Sequence, residues 1–350
     1  MVVLAAEARP WEEAAAVRGW RLLQLAPVEV TDAGVKTVQG AVEEYKKHTA
    51  VDATRVYLVG AGPGAAAVFY LAARAPEMWA AALAVEGSPR AAIDTNRLFA
   101  ANTQWVPVLW VSSALERPAM PGYNLEPRAA GETTLGQALE WLGSHQRDPF
   151  PAKVDCETGN PELARCYWVE MRKLDFSRRN DVLGSSRVRP GSGAALELGG
   201  FGFNPGAAGP GLAVSWLPEN YQGPLKLGDR IVAVGGTEIA DGRAYLEYMN
   251  QANEEKRVVV VIQRGKRRER VETRIVLRRR EEVQTARVQA EYLADAREVL
   301  IISRGVEELR LTLPHYWVPC PINWNGTAAG TADAAGCWAV AEGGRVKRCE

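Results

Sequence analysis

The first 113 residues hold five short apolar runs separated by longer stretches with helical spacing, and this alternation limits the fold more than any other feature. The runs are "VVLA" (2–5), "WRLLQLA" (20–26), "RVYLVG" (55–60), "AALAVEG" (81–87) and "VPVLWVSS" (106–113). Between them lie a helix from Pro10 to Arg18, "DAGVKTVQGAVEEYKKHT" (32–49) and "AAAVFYLAARAP" (65–76); "ETTLGQALEWLGSH" (132–145) closes the region. A strand with one wet face alternates polar and apolar residues, whereas a strand buried on both faces is apolar throughout. The pattern predicts an α/β domain over 1–150, with a mostly parallel sheet and helices on both faces.

The remaining sequence has another character. Residues 151–185 and 281–350 read as a β-rich extension, and 186–280 as a separate β-rich domain with one helix. "ARCYWVEMRKLDF" (164–176) reads as an exposed strand, "AREVLIISRGVEELRLTLP" (296–314) as two strands, and the Gly/Ala-rich tail is weakly patterned.

Lys+Arg and Asp+Glu each number 42, so the formal charge is zero, which argues against a general nucleic-acid or anionic-membrane binder. The basic run "RGKRRERVETRIVLRRR" (264–280) reads as a solvated ribbon with outward arginines. No stretch approaches the roughly 20 apolar residues of a membrane span. The N-terminal "MVVLAAEARPWEEA" lacks a signal peptide's basic region and apolar core, and its abrupt strand predicts a segment upstream.

The five cysteines have no CxxC spacing, so neither metal nor cofactor is expected. Cys156/Cys166 and Cys320/Cys337 are candidate disulfides in an oxidising compartment, with free buried thiols the alternative. His48, His145 and His315 lie far apart and read as structural.

"YLVGAGPGAAAVFY" (57–70) admits two readings. Gly60-Ala61-Gly62-Pro63-Gly64-Ala65 fits a dinucleotide-binding GxGxx(G/A) between strand and helix, with Glu86 near the place of a ribose-binding acid. Against this, the loop lies behind two strand–helix units, whereas that fingerprint opens its domain.

The stretch "VDATRVYLVGAGPGAAAVFYLAARAPEMWAAALAVEG" resembles more closely the elbow of α/β-hydrolases, in particular esterases related to polyhydroxybutyrate depolymerases. Their pattern is D-x-x-R-[IV]-[YF]-[LV]-x-G-x-S-x-G, then a helix ending near A-x-x-x-P and a strand ending in a small-residue turn; Asp52, Arg55, Tyr57, Gly60, Gly64, Pro76 and Ala80 to Gly87 match. "WEEAAAVRGWRLL" (11–23) and "ALEWLGSHQRDPFPAKV" (138–154) extend the likeness, and "ARCYWVEM" resembles the strand entering a C-terminal β-extension. The resemblance implies a hydrolase-like fold, and the family's usual secretion implies a periplasmic or extracellular home. It also places the nucleophilic serine where this chain has Gly62. The loop 113–132, where the general base should sit, contains no histidine. Glu116 is an available acid without a base to orient, and the oxyanion strand ends Leu4-Ala5-Ala6-Glu7 instead of His-Gly-Gly. Because triad members act as a unit, the resemblance implies a scaffold without hydrolase chemistry. The rival is an active serine esterase or peptidase with a relocated nucleophile at Ser88, Ser112 or Ser113.

Residues 196–265 resemble a PDZ domain. "LKLGDRIVAVGGTEI" (225–239) is similar to that family's L-x-x-G-D-x-I-x-x-[VI]-[NG]-G-x-x-[IV], and Gly200-Phe201-Gly202-Phe203 to its carboxylate loop. The resemblance implies that successive N–H groups of this loop hold a peptide's C-terminal carboxylate, while an adjoining strand edge pairs with the peptide. Phe203 would line the terminal-residue pocket, and Arg243, Ala244 and Leu246 would face the groove from the helix. Pro205 predicts a short pairing strand. The same fold could instead serve docking within the chain. The domain reads as an insertion into the β-extension, and the implied partner is a polypeptide C-terminus or extended peptide.

Overall fold

The computed structural model describes residues 1–350 except 8, 114–121, 189–192, 204–206, 253, 278–282, 342 and 350. The chain divides into two compact units, one formed by 1–188 with 283–350 and the other by 189–282.

The first unit opens with β1 (Val2–Leu4), α1 (Arg9–Val17), β2 (Leu23–Leu25), α2 (Asp32–His48), β3 (Tyr57–Ala61), α3 (Ala65–Arg74) and β4 (Ala81–Val85). It continues with α4 (Arg90–Asp94), α5 (Ala100–Thr103), β5 (Val108–Ser112), β6 (Leu125–Ala129) and α6 (Leu135–Gly143). The six strands form one parallel sheet in the order β2-β1-β3-β4-β5-β6. Alternate residues of β1, β3, β4 and β5 enter two different cores. Leu4, Leu58, Ala84 and Trp110 meet Val35, Val38 and Phe69 of α2 and α3. Val3, Val59, Leu83 and Leu109 meet Trp11 of α1 and Leu139 and Leu142 of α6. Both faces of the sheet are therefore covered, which is why its strands read as unbroken apolar runs. β6 was not foreseen: "LEPRA" lies at the sheet edge, is incompletely buried and carries a proline that only an edge tolerates.

Next come β7 (Lys153–Thr158), β8 (Arg165–Cys166) and β9 (Val169–Leu174). The second unit contains β10 (Ala194–Leu196), β11 (Gly202–Phe203), β12 (Leu212–Trp216), β13 (Arg230–Val234), β14 (Thr237–Glu238), α7 (Gly242–Gln251), β15 (Lys256–Arg264) and β16 (Arg267–Leu277). The chain then returns as β17 (Ala286–Leu293), β18 (Glu298–Arg304), β19 (Val306–Leu313), β20 (Cys320–Trp324), β21 (Thr327–Ala332), β22 (Gly336–Ala341) and β23 (Lys347–Arg348).

Two five-stranded sheets, β21-β20-β18-β17-β7 and β23-β22-β19-β9-β8, share a core that includes Trp168, Trp317, Trp324 and Trp338. The weakly patterned tail thus supplies four strands. The segment read as an exposed strand is instead a hairpin whose Cys166, Trp168, Val169 and Met171 are buried. Its apolar residues fill the sandwich while Arg172 and Lys173 stay outside. Of the two states left open for Cys156 and Cys166, the structure has the disulfide, which joins the two sheets. The second expected pairing is corrected: Cys337 bonds to Cys349, and Cys320 is a buried free thiol. The β22–β23 pairing brings Cys337 and Cys349 to a Cα separation of 5.3 Å, whereas Cys320 lies in the other sheet opposite Ala332.

One fully buried carboxylate fastens both chain segments that border the second unit's sequence. Glu157 accepts hydrogen bonds from Ser185 Oγ (2.5 Å), Ser186 N (2.6 Å), Ser186 Oγ (2.7 Å) and Thr285 Oγ1 (2.5 Å). Residues just before 189 and just after 282 therefore lie side by side, the geometry in which an intervening unit is tolerated.

The second unit is a seven-stranded sheet, β10-β16-β15-β13-β12-β11 with β14 on β13, closed by α7 over a core that includes Leu212, Ile231, Val260 and Ile262. Asp229, 2% exposed, accepts Lys226 N (2.7 Å) and two bonds from Arg264 (2.9 and 2.8 Å), which fixes the turn into β13.

Candidate functional sites

The strand order of the parallel sheet reverses between β1 and β3. In open α/β sheets ligands bind beyond the carboxyl ends of the strands at such a reversal. The glycine loop leaves β3 at this point. A Cβ on Gly64 would lie 2.1 Å from Leu4 O, and one on Gly60 would lie 2.4 Å from Gly64 O. Glycine is thus required at both positions by close backbone approach. Gly62 differs: its φ is +53°, and a Cβ there would meet nothing within 4 Å. The turn has the left-handed conformation and the room for a side chain at its apex, and it carries none.

The hydroxyls near this crevice are committed elsewhere. Ser113 Oγ donates to Glu86 (2.8 Å), whose carboxylate also accepts Ser113 N at 3.2 and 3.3 Å. Glu86, the candidate ribose acid, is therefore tied to the end of β5. It adopts φ +51°, a conformation that costs a non-glycine residue about 1 kcal/mol or more. Ser88 Oγ accepts Arg90 N (3.2 Å), and Ser112 is buried at the end of β5. Glu116 lies outside the described residues.

The histidines are elsewhere too. Tyr57, at the start of β3, donates its hydroxyl to His145 O (3.0 Å). His145 thus sits at the amino end of the strand whose carboxyl end leads to Gly62, about 15 Å away at about 3.3 Å per residue. Its Nδ1 lies 3.2 Å from Ser144 Oγ and 2.8 Å from Trp141 O, and Ser144 Oγ itself lies 2.7 Å from Trp141 O. This serine–histidine neighbourhood is the capped end of α6, not a nucleophile in the crevice. His48 contacts Glu44 (3.1 Å) on the exposed surface of α2, and His315 abuts Tyr316. Among the described residues, no three His, Cys, Asp or Glu side chains gather as a metal site, and no helix is long and apolar enough to cross a membrane.

The second unit offers a different loop. Gly199 has φ +81°, and a Cβ on it would lie 2.8 Å from the Tyr221 ring. The Tyr221 hydroxyl donates to Leu198 O, so this tyrosine clamps the loop from outside. Among the described residues, the amides of Gly200 and Phe201 form no hydrogen bond. Gly202 and Phe203 form the two-residue β11, which pairs irregularly with Trp216 and Val214 of β12. Pro205 lies outside the described residues. Phe203 packs edge-on against Tyr245 of α7 (5.5 Å between centroids), and Phe201 lies 6.3 Å from Phe203. Leu246 packs, half-buried, against the same core; Ala244 gives its amide to the Asp241 cap (2.8 Å), and Arg243 is exposed on the first turn. The structure thus gathers Phe201, Phe203 and Leu246 around one core and leaves Arg243 at the surface. Tyr245 was missed by the sequence reading. Its signal was its spacing with Met249, four residues on, which marks the buried helix face.

No protein-family model matches this chain, and no curated protein matches it.

Proposed function

We propose that the chain is a non-catalytic hydrolase-like scaffold carrying a PDZ-like unit that binds a polypeptide's free C-terminus or an extended peptide. The observation that carries the first half is Gly62: left-handed backbone, open space for a side chain, and no nucleophile. With His145 at the far end of β3, Ser113 and Ser88 near the crevice bond to Glu86 and to the Arg90 amide, not to an imidazole.

The second half is supported by the clamped loop at Gly199 and the unbonded amides of Gly200 and Phe201. Adjacent N–H groups in a glycine-permitted turn converge on an anion without needing a charged side chain. Phe201 and Phe203, partly buried and with Phe203 edge-on to Tyr245, supply apolar surface for a terminal side chain. The two-residue β11 limits backbone pairing, so the carboxylate carries most of the recognition.

Titration of the full chain with matched peptides ending in a free carboxylate or an amide tests this. The reading predicts clear preference for the free carboxylate; equal affinity removes the carboxylate mechanism.

A further inference from the structure

The β15–β16 hairpin turns one face to solvent. Its register sets Arg257 opposite Arg274, Val259 opposite Glu272, Val261 opposite Arg270 and Gln263 opposite Arg268. Directly opposed residues share a face, as do alternate residues along each strand. These eight side chains therefore form one patch about 20 Å long at about 3.4 Å per residue. The other face supplies Val258, Val260, Ile262 and Ile275 to the core.

The patch carries four arginines and one glutamate, all exposed, on a chain of zero formal charge. Arg257 and Arg274 are like charges directly opposed, an unfavourable cross-strand pair. Among the described residues, the guanidinium groups of Arg257, Arg268 and Arg270 form no ion pair or hydrogen bond. Arg274 reaches Glu255, at 3.9 Å with both side chains about half exposed. Val259, 39% exposed, and the half-buried Val261 add an apolar strip beside the arginines.

We infer that this face binds an acidic, extended segment of a partner polypeptide, with carboxylates on the arginines and apolar side chains on Val259 and Val261. Guanidinium groups pair bidentately with carboxylates. An extended chain repeats its side chains about every 6.8 Å, the spacing of Arg268 and Arg270 along β16. The patch has no aromatic residue on which bases could stack. β15 is also bonded to β13, so the hairpin is no free ribbon for a duplex groove. Charge on the stretch of β16 beyond its short pairing with β10 also discourages edge-to-edge association, but that role needs charge of either sign; acidic-peptide binding needs the positive sign.

The test uses the full chain and a labelled peptide of roughly ten alternating Glu and Val residues, acetylated and amidated so that it cannot use the carboxylate loop. Saturable binding is expected, weakening about tenfold or more between about 50 and about 500 mM NaCl. Arg268→Glu with Arg270→Glu should weaken it about tenfold or more, while Arg268→Lys with Arg270→Lys should stay within about threefold. Unchanged free-C-terminus binding in the Glu variant is expected and excludes unfolding as the cause. The proposal is overturned by absent binding, by equal affinity for a matched peptide in which Lys replaces every Glu, by full affinity in the Glu variant, or by a single-stranded oligonucleotide or anionic vesicles binding more tightly than the acidic peptide.

Discussion

Two glycine loops in this molecule divide the ways a backbone turn can serve chemistry. At Gly60–Gly64 a left-handed apex stands over open space, and whatever it could do to a substrate would have to come from a side chain. At Gly199–Phe203 the proposed function would rest on the unbonded amides of Gly200 and Phe201. A side-chain function disappears with one residue while the turn survives. A backbone function lasts as long as the conformation does. Preserved shape is therefore weak evidence of activity at the first loop and stronger evidence of binding at the second.

The comparison breaks most visibly at Gly64. Gly64→Ala places a methyl 2.1 Å from Leu4 O and should destabilise the first unit by about 3 kcal/mol, read as a lowered midpoint in denaturant unfolding. An unshifted midpoint would mean that the β1–α3 approach is not tight.

An effect of similar size belongs to the turn after the elbow helix. The carboxyl of Glu77 has a buried Oε2 without a hydrogen-bond partner, and burial pushes it up to about 7 against the opposing pull of Arg165, Arg147 and Lys46. Because the folded value is raised, the stabilisation is fully present below the ordinary carboxylate range and is lost as pH rises through about 7. At 1.36 kcal/mol per pKa unit, the loss is about 3 kcal/mol. Unfolding midpoints between about pH 5 and about pH 8 should fall in the wild type and lie flatter in Glu77→Gln; parallel profiles would remove Glu77 from the account.

The second loop should respond in affinity more than in stability. Gly199→Ala must take up φ +81° against the Tyr221 ring, and free-C-terminus peptide binding should weaken about tenfold for about 1 kcal/mol of lost stability. Unaltered affinity would detach the loop from recognition. The smallest effect is expected at Gly62. Gly62→Ser adds a Cβ that meets nothing within 4 Å and should cost about 1 kcal/mol for its left-handed backbone.

Much of this was legible in the sequence, for identifiable reasons. The path from β3 through the elbow to α3 reads directly because "RVYLVG" is buried on both faces and its glycines mark the turn. β6 did not, because an edge strand with Pro127 and exposed Glu126 lacks the apolar signature. Partners set by tertiary register were equally silent: Cys337 pairs across β22–β23, and Glu157 binds Ser185 and Thr285 from 28 and 128 residues away. Gly62 could be found by motif spacing, whereas the spacing of Tyr245 with Met249 marks a buried helix face but not its contact with Phe203.

The most direct measurement is covalent: mass spectrometry of the full chain and of Gly62→Ser after exposure to a serine-directed phosphonate, alongside hydrolysis of short-chain nitrophenyl esters. With no imidazole at the crevice, neither protein should gain an adduct or turn over ester above background. A stoichiometric adduct on any wild-type serine, with ester hydrolysis lost in step, would contradict the claim that this scaffold performs no acyl transfer.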